Sequence, residues 1–417
     1  MLTLRSYWHL VSSNRNFRRL WFAQLISLGG DWFNTIALLG LVLELTGSNT
    51  AAGFVLAANM LPSFLASPFA GQAADRFDRR RIMIVADLGR VFLALGMLFV
   101  RSPETIWIGI VFTAGISTFS AFFIPASGAA LPNLVNPEEL GVANSLLAAS
   151  WGTMLAVGAA LGGWVAGALG RDAAFVINAA SFLFSALLIM TVKARFSLDR
   201  VQTLGAHPFR DMHEGIVYAR SHPKIVALIA SKGGYGFGVG TIVILPILAT
   251  TVFNSGDQGI GVLFSARGIG VILGPLLAYG FVGQSDRRLL IALATSMAIY
   301  GAGYLALSAM PILAAAAFFA MVAHLGGGAQ WILSSYGLQR FAPDYIRGRV
   351  LSLDFGVVSL SMGLSSIAAG KLADRFEPRA VMAGFALFEI AYALIWLTAT
   401  RTLWKKDAER GALEPRT

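Results

Sequence analysis

A carboxylate in the middle of a long apolar run needs an explanation, because a charge at the centre of a bilayer costs about 2.5 to 3.5 kcal/mol on insertion scales. Asp31 sits midway along such a run, and Gln24, Ser27, Asn34 and Thr35 recur around it at helical spacing. On a helix these side chains share one polar face of an otherwise apolar rod. Burial penalises the charged form of a carboxyl group. An acid placed there suits taking up a proton on one side of a membrane and releasing it on the other, or else hydrogen-bonding a neighbouring helix. Three basic side chains raise the same question, since Lys232, Arg267 and His324 all lie inside apolar runs. Lys232 and Arg267 are candidates to pair with Asp31 or with an anionic group on a substrate, although Lys232 is close enough to the end of its run to snorkel. His324 has an ordinary titration range near neutral pH; beside Gly326, Gly327 and Gly328 it also reads as a packed core histidine. Glu389, in the last apolar run, reads as a structural hydrogen-bonding group, and Glu44, near the end of the first, as an interfacial charge needing no special account.

The elements that must position these groups follow from composition. Of 417 residues 56% are hydrophobic and 13% charged, with a mean hydropathy of +0.68; soluble domains carry roughly a quarter charged residues. At about 20 residues per crossing the apolar runs make twelve spans. The first six lie near Leu20–Leu45, Ala51–Ala70, Ile82–Val100, Thr105–Ala126, Leu140–Leu169 and Ala173–Val192. The second six lie near Ile225–Val252, Gly259–Val282, Leu289–Met310, Ile312–Ser334, Val350–Gly370 and Ala380–Thr400. Only Pro311 separates the ninth from the tenth, but so long an uncharged stretch cannot cross as one helix.

A net charge of +10 and a pI near 10.1 would point a soluble protein toward nucleic acid; here the distribution decides otherwise. Of the 32 Lys and Arg, all but eight fall in the N-terminus, every second loop and the C-terminal tail. Arg101, Arg171, Lys371, Arg375 and Arg379 occupy the alternate loops, and Arg90, Lys232 and Arg267 lie within spans. The positive-inside rule then places both termini in the cytoplasm. The first apolar run has spanning length and no small-residue cleavage site after it, which is the pattern of a retained span and not of a signal peptide. With no cysteine, disulfides and thiolate metal sites are excluded.

Between the second and third spans the stretch GQAADRFDRRR, Gly71 to Arg81, drops a cluster of charges that must sit at a membrane surface. Landmarks recur about 206 to 211 positions later: Asp75-Arg76 is answered by Asp286-Arg287, Pro137 by Pro343 and Gly162 by Gly370. The reading is a six-span bundle over 1–192, a cytoplasmic linker over 193–224, a second bundle over 225–400 and a cytoplasmic tail over 401–417. Within the linker, EGIVYARSHP is expected to form a short amphipathic helix on the membrane face.

The loop resembles the 2–3 loop of the major facilitator superfamily, on Gly71, Asp75, Arg76, Arg79 and Arg80, with Asp78 where that family usually has a small residue. HPFRDMHEGIVYARSHP, QRFAPDYIRGRVLSL and GGDWF extend the resemblance to the enterobactin-exporter and macrolide-efflux group, over nearly the whole chain. It implies an all-α membrane protein of twelve transmembrane helices in two parallel six-helix repeats, with the first helix of each three-helix unit lining a central cavity. On that basis Gln24, Asp31, Asn34, Lys232, Arg267 and His324 are the expected proton or substrate cavity. The expected cytoplasmic gate is Gly71, Asp75, Arg76, Arg79 and Arg80, with Asp75 accepting from the N–H groups opening span 11 around Arg347 and Arg349, and with Asp87 and Arg90 paired at i,i+3. The superfamily's usual span 4 arginine is absent, which puts a relay through that helix in doubt. Glycines four apart in span 5 and in span 8 are expected to let helices approach closely.

No phosphate-binding loop, paired-histidine metal motif or nucleophile elbow is present, so the chain reads as a non-enzyme without cofactor or metal. The function the resemblance implies is a proton-coupled exporter of an amphipathic small molecule such as a drug, macrolide or siderophore. A lysophospholipid transporter, whose relatives share a Gly-Asp pair like Gly30-Asp31, and a non-transporting sensor of the same fold are the alternatives. The expected partners are a small-molecule substrate, protons and the lipid bilayer, with no nucleic acid, in a monomer of the cytoplasmic (inner) membrane.

Overall fold

The computed structural model describes residues 4–194, 196, 208–283 and 285–411. Among them fifteen α-helices follow one another: α1 (Leu4–Ser13), α2 (Arg15–Thr46), α3 (Asn49–Arg76), α4 (Arg79–Gly96), α5 (Ile106–Ala130), α6 (Leu140–Leu169), α7 (Arg171–Met190), α8 (Pro208–Ser221), α9 (Pro223–Gly238), α10 (Gly240–Thr251), α11 (Gly256–Val282), α12 (Asp286–Ser308), α13 (Leu313–Phe341), α14 (Asp344–Ala373) and α15 (Pro378–Gly411). With α9 and α10 counted as one broken crossing, twelve are long and apolar enough to span a membrane. No strand occurs among the described residues.

The boundaries have local causes. The Asn14 side chain accepts from Phe17 N–H at the start of α2, and Gly47 ends that helix at φ +60°, a left-handed conformation that glycine adopts without steric penalty. Ser48 and Ser285 cap α3 and α12 in the same way. Asp78, the departure from the family pattern in the charged loop, is the N-cap of α4, accepting from Arg81 N–H at 2.9 Å. Pro311 falls between α12 and α13 and separates those two crossings as expected.

Three features are not legible in the sequence. The short helix α1 precedes the first span. The seventh crossing is interrupted at Gly238–Gly240. The first span begins at Arg15, five residues before the apolar run. The linker helix α8 takes in the EGIVYARS segment; the linker residues 195 and 197–207 and the tail residues 412–417 lie outside the described residues.

The chain divides into two compact units. Unit one holds Met1–Ala206 together with Ala249–Ser265, which is the end of α10 and the start of α11. Here α2 packs on α6 and α7, α3 on α5, and α4 on α5 and α7, over a core that includes Leu20, Met83, Phe123 and Leu131. Unit two holds His207–Leu248 and Ala266–Thr417. Within it α12 packs on α13 and α15, and α9 on α14, around Leu228, Leu293, Leu338 and Trp396.

Candidate functional site

In unit one the polar face of α2 points at a buried ion pair. Asp31 is half-buried, and its carboxylate accepts no hydrogen bond from any described residue; Thr35 Oγ1 donates to its backbone carbonyl at 2.8 Å. The charges within electrostatic reach of Asp31 are Arg90 and Asp87. These two form a salt bridge on α4 at 3% and 0% side-chain exposure, so the pair belongs to the bundle interior. Their i,i+3 spacing on α4 lets the two side chains meet on one face. Arg90 also donates to Ser27 Oγ at 3.2 Å, and its guanidinium lies 4.8 and 4.5 Å from the ring centroids of Phe123 and Phe182. Ser185 on α7 donates to the other Asp87 oxygen at 2.7 Å. A buried pair is favoured where the remaining polar atoms of the charges find partners; here Ser27 on α2, Ser120 on α5 and Ser185 on α7 supply them, while Arg90 Nε is unmatched among the described residues. Along the same face of α2, Gln24 Nε2 donates to Ser127 Oγ at 2.8 Å, while Asn34 is buried with its Oδ1 unmatched among the described residues.

Gly30 is what lets α7 come so close to this stretch, since a Cβ there would fall 2.1 Å from Ser181 Oγ. The glycines of the fifth span act similarly: a Cβ on Gly162 would meet the Phe33 backbone at 2.9 Å, and Gly163 faces Gly261 across a gap that would leave 2.8 Å.

At the end of α2 away from the N-terminus, Arg171 bridges two acids. Its Nη1 lies 2.6 Å from Glu44, and its Nε lies 2.9 Å from Asp257 at the start of α11. Asp257 packs so tightly on Gly40 that a Cβ there would be 1.7 Å from Oδ1. Glu44, an interfacial charge with an exposed side chain, therefore has a defined partner.

Unit two holds the basic candidates, each with a partner in its own unit. Lys232 forms a salt bridge with Asp354 of α14, both side chains 3% exposed. It also donates to Ser335 Oγ at 2.9 Å, and its Nζ lies 4.8 Å from the Trp331 ring. Snorkelling is thus excluded for Lys232. Arg267 Nε donates to His324 Nε2 at 2.9 Å, with Tyr304 Oη at the same distance from that nitrogen. An accepting Nε2 puts the imidazole proton on Nδ1. Sequence reasoning missed Asp354; the available signal was that it is the one acid inside the eleventh apolar run.

At the charged loop Arg79 donates to the carbonyls of Ala129 at 2.7 Å and Ala74 at 3.2 Å, and Arg80 donates to that of Met190. These arginines neutralise the carbonyl ends of helices. Gly71 is open, since a Cβ there would have nothing within 4 Å, and Arg76 is exposed. The side chain of Asp75 lies outside the described residues, and with it the expected latch. Arg347 pairs with Asp344 one turn away at 3.0 Å, and Arg349 with Glu214 of α8. The apolar cavity of about 460 Å³ lined by Phe237, Phe376, Phe385 and Phe388 carries none of the candidate groups.

Twelve helices of spanning length with charged side chains paired inside the bundles define a polytopic membrane scaffold. The same fold occurs in a bacterial homologue of the human lysosomal transporter Spinster, in its inward-facing and occupied conformation, at a TM-score of 0.75 and 14% identity over 93% of this chain and 97% of that one. It occurs also in a bacterial homologue of the iron transporter ferroportin, at 0.72 and 17% over 92% and 98%. The chain is a membrane transporter of the major facilitator kind. It belongs to the transmembrane secretion effector family, whose profile matches residues 10–412. Relatives include macrolide efflux protein A of Streptococcus pyogenes, 28% identical over 379 residues, covering 86% of this chain and 89% of the relative. The putative bacilysin exporter BacE of Bacillus subtilis is 24% identical over 381 residues, covering 90% and 92%.

Proposed function

We propose that the protein is a proton-coupled exporter of an amphipathic small molecule of the macrolide kind, seated in the cytoplasmic membrane with both termini inside. The observation that carries this reading is the similarity to a macrolide efflux protein across 86% of the chain. The proton site is Asp31, a half-buried carboxylate that no described donor engages and that lies within reach of the Asp87–Arg90 pair. Because Arg90 is already bonded to Asp87 and Ser27, a proton arriving at Asp31 changes the charge felt by a network that joins α2, α4 and α7. The candidate substrate-contacting groups of unit one are those on the polar face of α2, and those of unit two are Arg267 and Lys232. Transport follows alternating access of the repeats 1–192 and 225–400 about the linker 193–224, with Asp75 and its arginine neighbours as the inner gate. The Glu44–Arg171–Asp257 bridge is an outer contact that ties α2, α7 and α11 together within unit one.

The test is proton release from acidified everted vesicles on adding erythromycin, with wild type beside Asp31→Asn. Release in the wild type that disappears in the variant supports antiport through Asp31. Wild-type vesicles containing folded protein that release no proton with erythromycin, a catecholate siderophore or a lysophospholipid would overturn the proton-coupled reading.

A further inference from the structure

The last crossing holds a carboxylate that the proposed cycle does not use. Glu389 on α15 is 0% exposed, and neither of its oxygens meets a hydrogen-bond donor among the described residues. Its place is set by a glycine. A Cβ on Gly238 would lie 2.6 Å from Oε2, so the absence of a side chain at 238 lets the carboxyl reach the backbone where the seventh crossing breaks.

That break is held by side-chain hydroxyls. Thr241 Oγ1 donates to the Gly238 carbonyl at 2.9 Å and lies 3.1 Å from Tyr300 Oη. Gly240 N–H donates to Ser365 Oγ at 2.9 Å, and Ser365 in turn donates to the Phe237 carbonyl. Among the described residues the titratable groups around Glu389 are tyrosines: Tyr300 on α12, Tyr235 on α9 with its ring 5.0 Å from that of Tyr300, and Tyr392 on α15 itself, with Tyr304 behind Tyr300. The buried acid of α14, Asp354, is committed to Lys232. Arg267 and His324 lie beyond the Tyr300 and Tyr304 rings, bonded to each other.

We propose that Glu389 is a second proton-carrying carboxyl of the transport cycle, and that its proton occupancy controls the break between α9 and α10. The inference rests on the proton-coupled reading above. A structural acid is expected to be hydrogen-bonded, and this one is not. An ionised carboxylate in so dry a place needs donors, since an uncompensated buried charge is strongly destabilising. The donors at the junction that Glu389 adjoins through Gly238 are the Thr241 and Tyr300 hydroxyls and the Gly240 N–H, all now engaged in holding the break. Losing the proton therefore competes with the bonds that fix the junction of α9 and α10, and regaining it restores them. Broken helices of this kind line the moving parts of secondary transporters. The chemical step is a proton passing between the carboxyl and water, with no other reactant.

The test uses the full-length protein and Glu389→Gln, which keeps the shape of the protonated acid. Infrared difference spectra between acid and alkaline buffer should show a protonated-carboxyl band in the wild type that is diminished in the variant. In proteoliposomes the variant should retain erythromycin counterflow and lose accumulation driven by a pH gradient. An unchanged infrared band, or pH-driven accumulation equal to wild type, would overturn the proposal, and loss of counterflow in folded variant would make Glu389 structural. Wild-type liposomes that show counterflow but no pH-driven accumulation would sink the proton-coupled reading itself, and the coupling role of Glu389 with it. Should Glu389→Gln fail to fold, Glu389→Asp replaces it: a shifted pH midpoint of accumulation supports the role, and an unshifted one refutes it.

Discussion

Replacing Asp354 by Leu tests whether the charge on Lys232 is held by one partner. Both side chains are 3% exposed, so removal of the carboxylate leaves an ammonium ion buried without a counter-charge. Breaking a buried pair in this way costs about 3–5 kcal/mol. Two contacts survive to soften the loss, the Ser335 hydroxyl at 2.9 Å and the Trp331 ring at 4.8 Å; a desolvated cation–π contact is worth about 2 kcal/mol. The expected destabilisation is then near the lower bound, about 3 kcal/mol, or about a hundredfold in the folded-to-unfolded ratio. Lys232→Met should lose a comparable amount, because it strands the carboxylate instead. Lys232→Met combined with Asp354→Leu removes both charges and should return to within about 1 kcal/mol of wild type, since apolar replacement of a buried pair is often neutral. The assay is equilibrium unfolding in mixed micelles, followed by tryptophan fluorescence, for all four proteins of the cycle. If the double variant loses the sum of the two single losses, the residues are not energetically coupled and the argument from burial is wrong.

Two further expectations concern unit one. Arg171→Gln removes the cation between Glu44 and Asp257; because the chain has no native cysteine, Thr251→Cys gives a background-free probe, and its labelling by an impermeant maleimide should speed up severalfold, an unchanged rate counting against an outer contact. Gly163→Leu puts a side chain where even a Cβ would lie 2.6 Å from the Asp257 carbonyl oxygen, whereas Gly141 has nothing within 4 Å. Size-exclusion chromatography of the detergent extract should therefore show loss of the monodisperse peak for Gly163→Leu and retention for Gly141→Leu.

Much of the architecture could be read without coordinates. The hydropathic runs located all twelve crossings, because a spanning helix must satisfy its backbone internally and clothe itself in apolar side chains, both of which are local demands. The short break at Pro311, the glycine faces of the fifth and eighth spans and the amphipathic linker segment were legible for the same reason. The interruption at Gly238–Gly240 was not, since glycine-rich stretches also occur inside unbroken membrane helices, as at Gly326–Gly328 in α13.

The sequence by itself determined which residues carry charge inside the membrane, and little about what those charges meet. Asp31, Lys232, Arg267 and Glu389 stood out because an ionisable group in an apolar run is costly wherever the run folds. Their partners are matters of packing between distant segments. Lys232 and Asp354 are separated by 122 positions, Arg171 joins acids 127 and 86 positions away, and Arg90 is buried between aromatic rings of two other helices. Helical periodicity fixes which face a side chain occupies, but only the tertiary structure decides which face of another helix lies opposite. That is why the spans were evident from the chain alone, whereas the division between paired charges and the carboxylates Asp31 and Glu389, which meet no donor among the described residues, emerged only from the fold.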